Sequence, residues 1–178
     1  MQRLTYFVAT SIDGHIARPD GSFDFFVDEG EHVTDYLEAL KTFDSVVMGR
    51  GTYEIATKAG VTNPYPWLRT YVVSMTIASS ADPNVTIVGD DAVDVVRSLK
   101  ERPGRGVYLC GGGKLAALLL EHDLVDEITI KLNPVIAGEG IPVVAKMERP
   151  TALELVDTRI YENGVVFLRY RVKRSPRV

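Results

Sequence analysis

Short apolar runs alternate with amphipathic stretches through most of this chain, and that alternation restricts its fold more than any single motif. Residues 4–9, 45–48, 71–74, 85–88 and 106–110 are brief runs rich in β-branched and aromatic side chains. Residues 32–42, 92–99 and 115–120 instead repeat apolar positions at helical spacing: Val33, Tyr36, Leu37 and Leu40 share one face of the first, and Val95, Val96 and Leu99 one face of the second. A further helix is predicted from the turn at residues 49–52 through Lys58. Strands separated by helices need crossover connections, which set the strands parallel. The end of the chain departs from this: residues 153–161 and 165–172 flank Asn163-Gly164, a hairpin signal. The expected fold is therefore α/β, a largely parallel central sheet with helices on both faces and a C-terminal antiparallel hairpin.

Composition narrows the function classes. With 178 residues the chain fits one domain, and no linker or repeat divides it, so residues 1–178 are expected to fold as a unit. Its 46% hydrophobic content excludes a disordered chain, and no apolar run nears the roughly 20 residues of a membrane span. The opening residues run directly into strand-like sequence without a signal-like apolar region, so a cytoplasmic location is expected. A net charge of −4 argues against nucleic acid as a partner, because phosphate-backbone binding needs a basic face. The basic cluster from Arg169 to Arg177 reads as a solvated strand end. Cys110 is the single cysteine and reads as a buried small side chain, while His15, His32 and His122 lie too far apart for a metal-ligand pattern.

Two strand-to-helix turns carry the candidate chemistry. Gly111, Gly112, Gly113 and Lys114 follow one apolar run and open a helix, leaving backbone N–H groups at the positive end of its dipole. Gly49, Arg50 and Thr52 form a second such turn, and Ser74 and Thr76 end a third strand. In an open parallel sheet ligands bind beyond the carboxyl ends of the strands, so all three segments are expected to face one crevice. Cationic, hydroxyl and bare-backbone donors together suit a phosphorylated dinucleotide. Arg50 suits a 2′-phosphate, which favours NADP(H) over NAD(H).

The order of these motifs resembles a known family. Residues 44–54, with Met48-Gly49-Arg50-Gly51-Thr52, look like a segment of the dihydrofolate reductase fold. Ser11-Ile12-Asp13-Gly14-His15-Ile16-Ala17, the glycine turn, and residues 124–127 and 134–140 are similar to the C-terminal reductase domain of bifunctional riboflavin-biosynthesis proteins and its stand-alone relatives. The resemblance implies a dihydrofolate-reductase-like fold, NADPH as cofactor, a small-molecule substrate and a homodimer. It also implies roles: Gly49, Arg50 and Thr52 on the adenosine phosphates and pyrophosphate, Ser74 and Thr76 in the 2′-phosphate region, Gly111 to Lys114 on the pyrophosphate, and Ala9 and Ile16 beside the nicotinamide. The implied reaction resembles that of 5-amino-6-(5-phosphoribosylamino)uracil reductase, with Asp13 or Lys131 delivering the proton. The alternatives are a dihydrofolate-reductase-like enzyme acting on a pterin or another small carbonyl compound, and a non-catalytic NADP(H)-binding protein. The Pro-Trp pair that follows the first strand of a dihydrofolate reductase lies here far downstream, at Pro66-Trp67, and the metal ligands of the zinc deaminase half have no counterpart.

Several residues carry plainer readings beside these. Asp13 before Gly14 suits an Asx-type turn. Lys131 shares a strand face with Thr129 and Asn133, and an edge-strand lysine would serve only against aggregation. Tyr65 and Trp67, among prolines, suit a loop anchor, and His15 suits an exposed position. Residues 138–140 read as a flexible loop near the active-site rim, or more plainly as an ordinary turn.

Overall fold

A computed structural model describes residues 1–174. Six strands form its parallel core: β1 (Leu4–Thr10), β3 (Ser45–Gly49), β4 (Arg69–Val73), β5 (Val85–Val88), β6 (Val107–Cys110) and β7 (Glu127–Leu132). The eight-stranded sheet has the order β5-β4-β3-β6-β1-β7-β10-β9, where β9 (Leu153–Ile160) and β10 (Val166–Val172) are the antiparallel pair expected at the end of the chain. The central position of β1 explains its nearly continuous apolar sequence, since a parallel strand between two neighbours is covered on both faces.

Two apolar layers sandwich this sheet. Helices α3 (Ala92–Glu101) and α4 (Gly113–Glu121) cover one face, packing Val96, Leu99, Leu115 and Leu119 onto Tyr6, Val47 and Leu109. Helix α1 (Glu31–Leu40) and helix α2 (Arg50–Lys58) cover the other, where Leu40 and Tyr53 meet Phe7, Met48, Val72 and Tyr108. Each fully buried large side chain contributes about 1.5–3 kcal/mol, so the two layers supply most of the drive to fold. Lys100, although charged, is buried and paired with Asp126, which also accepts the Leu4 N–H and an Arg174 guanidinium bond.

Some sequence expectations shift here. The first helix begins at Glu31 rather than at 32 and stops at Leu40; Leu37 is 49% exposed, while His32 is the residue that turns fully inward. Strand β7 lies between β1 and β10, so Lys131 is not on an edge. Arg177 of the basic cluster falls outside the described residues, whereas Arg169 and Arg171 sit on β10 beside Asp157 and Glu154. Among the described residues no helix is long and apolar enough to cross a membrane.

The loop after β1 holds an element that its sequence hid. Residues His15–Ala17 form β2, paired antiparallel with β8 (Ile141–Pro142). Residues 138–140 are consequently held against β2, and a Cβ on Gly140 would lie 2.1 Å from the Ala17 carbonyl oxygen. Gly140→Ala is expected to destabilise the protein by about 1–3 kcal/mol, because backbone must move on both sides of the contact. A urea midpoint unchanged from wild type would contradict that.

Candidate active site

The parallel register aligns the candidate residues along one edge of the sheet. Gly49 pairs with Val73, so Arg50 and Ser74 follow side by side; Met48 pairs with Cys110, so Gly49 and Gly111 do as well. Farther along, Phe7 pairs with Cys110 and Ala9 with Lys131. The edge from β4 to β7 crosses four strand spacings of about 4.8 Å each, long enough for an extended dinucleotide.

Two helix N-termini open onto this edge. Helix α2 starts at Arg50 directly after β3, and α4 starts at Gly113 after Gly111 and Gly112, whose φ angles of 61° and 82° no β-branched residue adopts comfortably. The first-turn N–H groups of both helices lack intrahelical acceptors. The two turns also touch: a Cβ on Gly111 would lie 3.0 Å from Thr52 Oγ1. Gly113 is fixed from behind, because a Cβ there would lie 2.2 Å from the Pro142 carbonyl oxygen, and its own carbonyl accepts the Ala145 N–H at 2.9 Å. The arrangement is a bare-backbone cradle that suits a pyrophosphate.

Around the cradle the side chains are in different states of readiness. Arg50 is exposed, with Glu54 at 3.5 Å one helical turn on. Lys114 is exposed on the first turn of α4. Ser74 is buried, and its Oγ accepts the N–H groups of Thr76 and Ile77 at 3.2 and 3.0 Å, so its main visible task is to hold the strand-end turn. Thr76 stands exposed beyond it. Ile16, on β2, is partly buried against the apolar layer of α3 and α4.

Asp13 and Lys131 occupy separate places with different chemistry. The Asp13 carboxylate accepts the N–H groups of Ala137 and Gly138 at 3.0 and 2.7 Å. Hydrogen bonds from Ser11, Ala137 and Gly138 hold it well below the usual carboxylate range. It thus anchors the 134–140 loop as an anion. His15, expected in solvent, is half-buried with Nδ1 3.4 Å from Asp13. Lys131 is half-buried on the α1 face beside Ala9 and donates to the Val27 carbonyl. Burial pulls its pKa below the ordinary lysine value, opposed in part by Asp28.

The segment before α1 is pinned over Lys131 by residues that sequence patterns did not single out. Asn133 accepts the Val27 N–H at 3.1 Å and donates to the Thr10 carbonyl at 3.2 Å. His32 uses both ring nitrogens, Nε2 toward the Val27 carbonyl at 3.2 Å and Nδ1 toward the Asn163 amide at 3.1 Å, which suits a neutral imidazole. Burial, and then the Lys131 charge, lowers the His32 pKa. On acidification the unfolded chain takes up this proton first, near pH 6.5. Stability present above that pH is therefore expected to decline as pH falls through the lower folded value. Urea midpoints at pH 7.5 and 5.5 check this: wild type should lose more than His32→Gln, and equal losses would contradict the assignment.

Deeper on the α1 face, Tyr36 OH lies 3.1 Å from Tyr65 OH and 3.2 Å from Tyr108 OH, and Tyr65 OH lies 3.4 Å from Cys110 Sγ. Burial raises all four pKa values, so the cluster is neutral and offers hydrogen bonds only. Tyr108 and Cys110, two residues apart on β6, share this face, and nothing in the sequence tied them to Tyr65. Trp67 packs edge-on against Tyr65 while 57% exposed.

A cleft of about 430 Å³ at the other end of the strands is a weaker candidate. It is floored by Phe7, Phe43 and Phe167, and each arginine on its rim is already paired: Arg3 with Glu127, Arg105 with Asp44, Arg159 with Asp35 and Arg169 with Asp157. It offers no uncompensated charge to a phosphate. Among the described residues no cluster of three or more His, Cys, Asp or Glu could hold a metal ion.

Comparison with known proteins identifies the family of the chain. The family model of the RibD C-terminal domain matches residues 2–167. The chain belongs to the RibD C-terminal domain family. The uncharacterized protein YwjB of Bacillus subtilis is 33% identical over 167 residues, covering 93% of this chain and 96% of YwjB. A crystal structure from Shewanella sp. PV-4, provisionally named a riboflavin biosynthesis protein, superposes with a TM-score of 0.83 at 24% identity, covering 97% and 100% of the two chains. The diaminohydroxyphosphoribosylaminopyrimidine deaminase/5-amino-6-(5-phosphoribosylamino)uracil reductase of Thermotoga maritima superposes with a TM-score of 0.70 at 18% identity, covering 97% of this chain and 57% of that one. The RibD C-terminal domain thus has here the dihydrofolate-reductase-like architecture expected from its sequence.

Proposed function

We propose that this protein is an NADPH-dependent reductase that transfers hydride to the C=N or C=O of a ribosylaminopyrimidine-type substrate, as in riboflavin biosynthesis. The observation that carries the cofactor reading is the contact of two helix N-termini at Gly111 and Thr52, with glycine backbone on both strand ends. First-turn amides of α2 and α4 would hold the pyrophosphate, Arg50 with Ser74 and Thr76 the 2′-phosphate, and Ala9 would border the nicotinamide. NADPH supplies the hydride when bound. This chain's residues orient the reactants, exclude water and supply the proton that the substrate heteroatom gains as its carbon gains hydride.

Lys131 is the proton source in this reading, because it is half-buried and adjacent to Ala9 across the β1–β7 register. Asp13, held as an anion by backbone N–H groups, serves as a loop anchor. The test is NADPH oxidation followed by absorbance with 5-amino-6-(5-phosphoribosylamino)uracil and, separately, with dihydrofolate. Turnover of the first and not the second is expected. Turnover of dihydrofolate alone would replace the substrate assignment, and oxidation of neither would favour a cofactor-binding protein without catalysis.

A further inference from the structure

Two fully buried side chains, Asn133 and His32, converge on one peptide unit in the segment that covers Lys131. Asn133 accepts the Val27 N–H through Oδ1 at 3.1 Å, while its Nδ2 donates to the Thr10 and Lys131 carbonyls at 3.2 and 3.1 Å. His32 stands on the other side, with Nε2 3.2 Å from the Val27 carbonyl oxygen. The Val27 peptide is thus held at both of its polar groups. The carbonyl so fixed is the one that accepts the Lys131 ammonium.

The tautomer of His32 follows from its far neighbour. Asn163 Oδ1 accepts the Val165 N–H at 3.2 Å, which leaves Nδ2 facing the Glu29 carbonyl at 2.9 Å and His32 Nδ1 at 3.1 Å. An amide nitrogen only donates, so Nδ1 is the accepting nitrogen and Nε2 carries the proton directed at Val27. A chain of fixed hydrogen bonds therefore runs from the β9–β10 turn through His32 and Val27 to Lys131. The charged groups facing His32 are Lys131 and Asp35, and the titratable groups facing Lys131 are Asp28 and His32. The strand neighbours of Lys131, Ala9 and Phe167, carry no charge.

We infer that His32, with Asn133 and Asn163, is a positioning residue for Lys131: the clamp on Val27 fixes where the ammonium points and keeps it covered. This rests on Lys131 being the proton source. Burial outweighs Asp28 in setting the Lys131 pKa, so a loosened cover admits water and raises it. His32→Phe keeps the edge-on packing against Tyr161 and Phe167 but makes neither hydrogen bond, whereas His32→Gln offers an amide donor to Val27 and a carbonyl acceptor to Asn163. The test follows Lys131 without any substrate, by NMR titration of isotope-labelled lysine side chains, its signal identified by loss in Lys131→Met. Lys131 should titrate at a higher pH in His32→Phe than in wild type, and His32→Gln should restore the wild-type behaviour. If His32→Phe does not fold, Asn163→Ala, at the exposed end of the chain of bonds, makes the same comparison and should shift the titration in the same direction. In turnover, His32→Phe should lower kcat about 10-fold with KM little changed, since a misplaced donor is still present, and should move the alkaline limb to higher pH. Equal Lys131 titrations in wild type and the clamp variant, or a His32→Gln protein that titrates like His32→Phe, would overturn the proposal. A shifted titration in a protein whose turnover survives Lys131→Met would instead overturn the proton-source reading and leave the hold of His32 on Lys131 standing.

Discussion

Lys131→Met is expected to lower turnover by about 10²–10⁴-fold, the usual contribution of a placed proton donor, while leaving NADPH affinity unchanged. Lys131 lies on the α1 face of β7 opposite Ala9 and away from the amide cradle, so its loss should appear in kcat rather than in cofactor binding. Burial already weakens its hold on a proton. A step that requires protonated Lys131 should thus fail on the alkaline side at a lower pH than an ordinary lysine would allow, and Lys131→Arg should remove that limb. Asp13→Asn should act differently: it weakens an anchor of the 134–140 loop, raising KM more than it lowers kcat. Turnover retained by Lys131→Met would move the proton source to solvent or to another group.

Gly111→Val is expected to reduce NADPH affinity by about 100-fold or more, equivalent to roughly 2.7 kcal/mol. Two effects combine at that position. A β-branched residue at φ 61° is strained, and the new Cβ would displace Thr52 Oγ1, 3.0 Å away, from the first turn of α2. Gly60 supplies the control, with φ 79° and no neighbour within 4 Å of where a Cβ would stand, so Gly60→Ala should lose some stability and no affinity. Equal affinities for wild type and Gly111→Val in calorimetric titration would remove the glycine turn from the cofactor site.

Most of the architecture was legible from periodicity, because buried parallel strands and amphipathic helices leave strong signals. The 153–161 and 165–172 runs around Asn163-Gly164 likewise read correctly as an antiparallel pair. What escaped were features made by contacts distant in sequence. Strand β2 is three residues long and exists because Ile141–Pro142 lies beside it, so neither piece has a period to detect. The inward turn of His32 depends on Val27 and Asn163, and the exposure of Leu37 follows from how the short helix sits on the sheet, which a helical wheel does not contain. Reading Lys131 as an edge lysine failed for the same reason: strand order is a property of the whole sheet. At the site, the glycine turns were visible as punctuation, whereas their contact through Thr52, and the tie of Asp13 to the 137–138 backbone, required the fold.

The most direct test of the cradle is calorimetric titration of the wild-type protein with NADPH and with NADH at equal ionic strength. The account predicts tight binding of NADPH and at least ~10-fold weaker binding of NADH, since Arg50, Ser74 and Thr76 offer donors to the extra phosphate. Equal affinity for the two would contradict the role given to those three residues, and no heat with either would contradict the cofactor site itself.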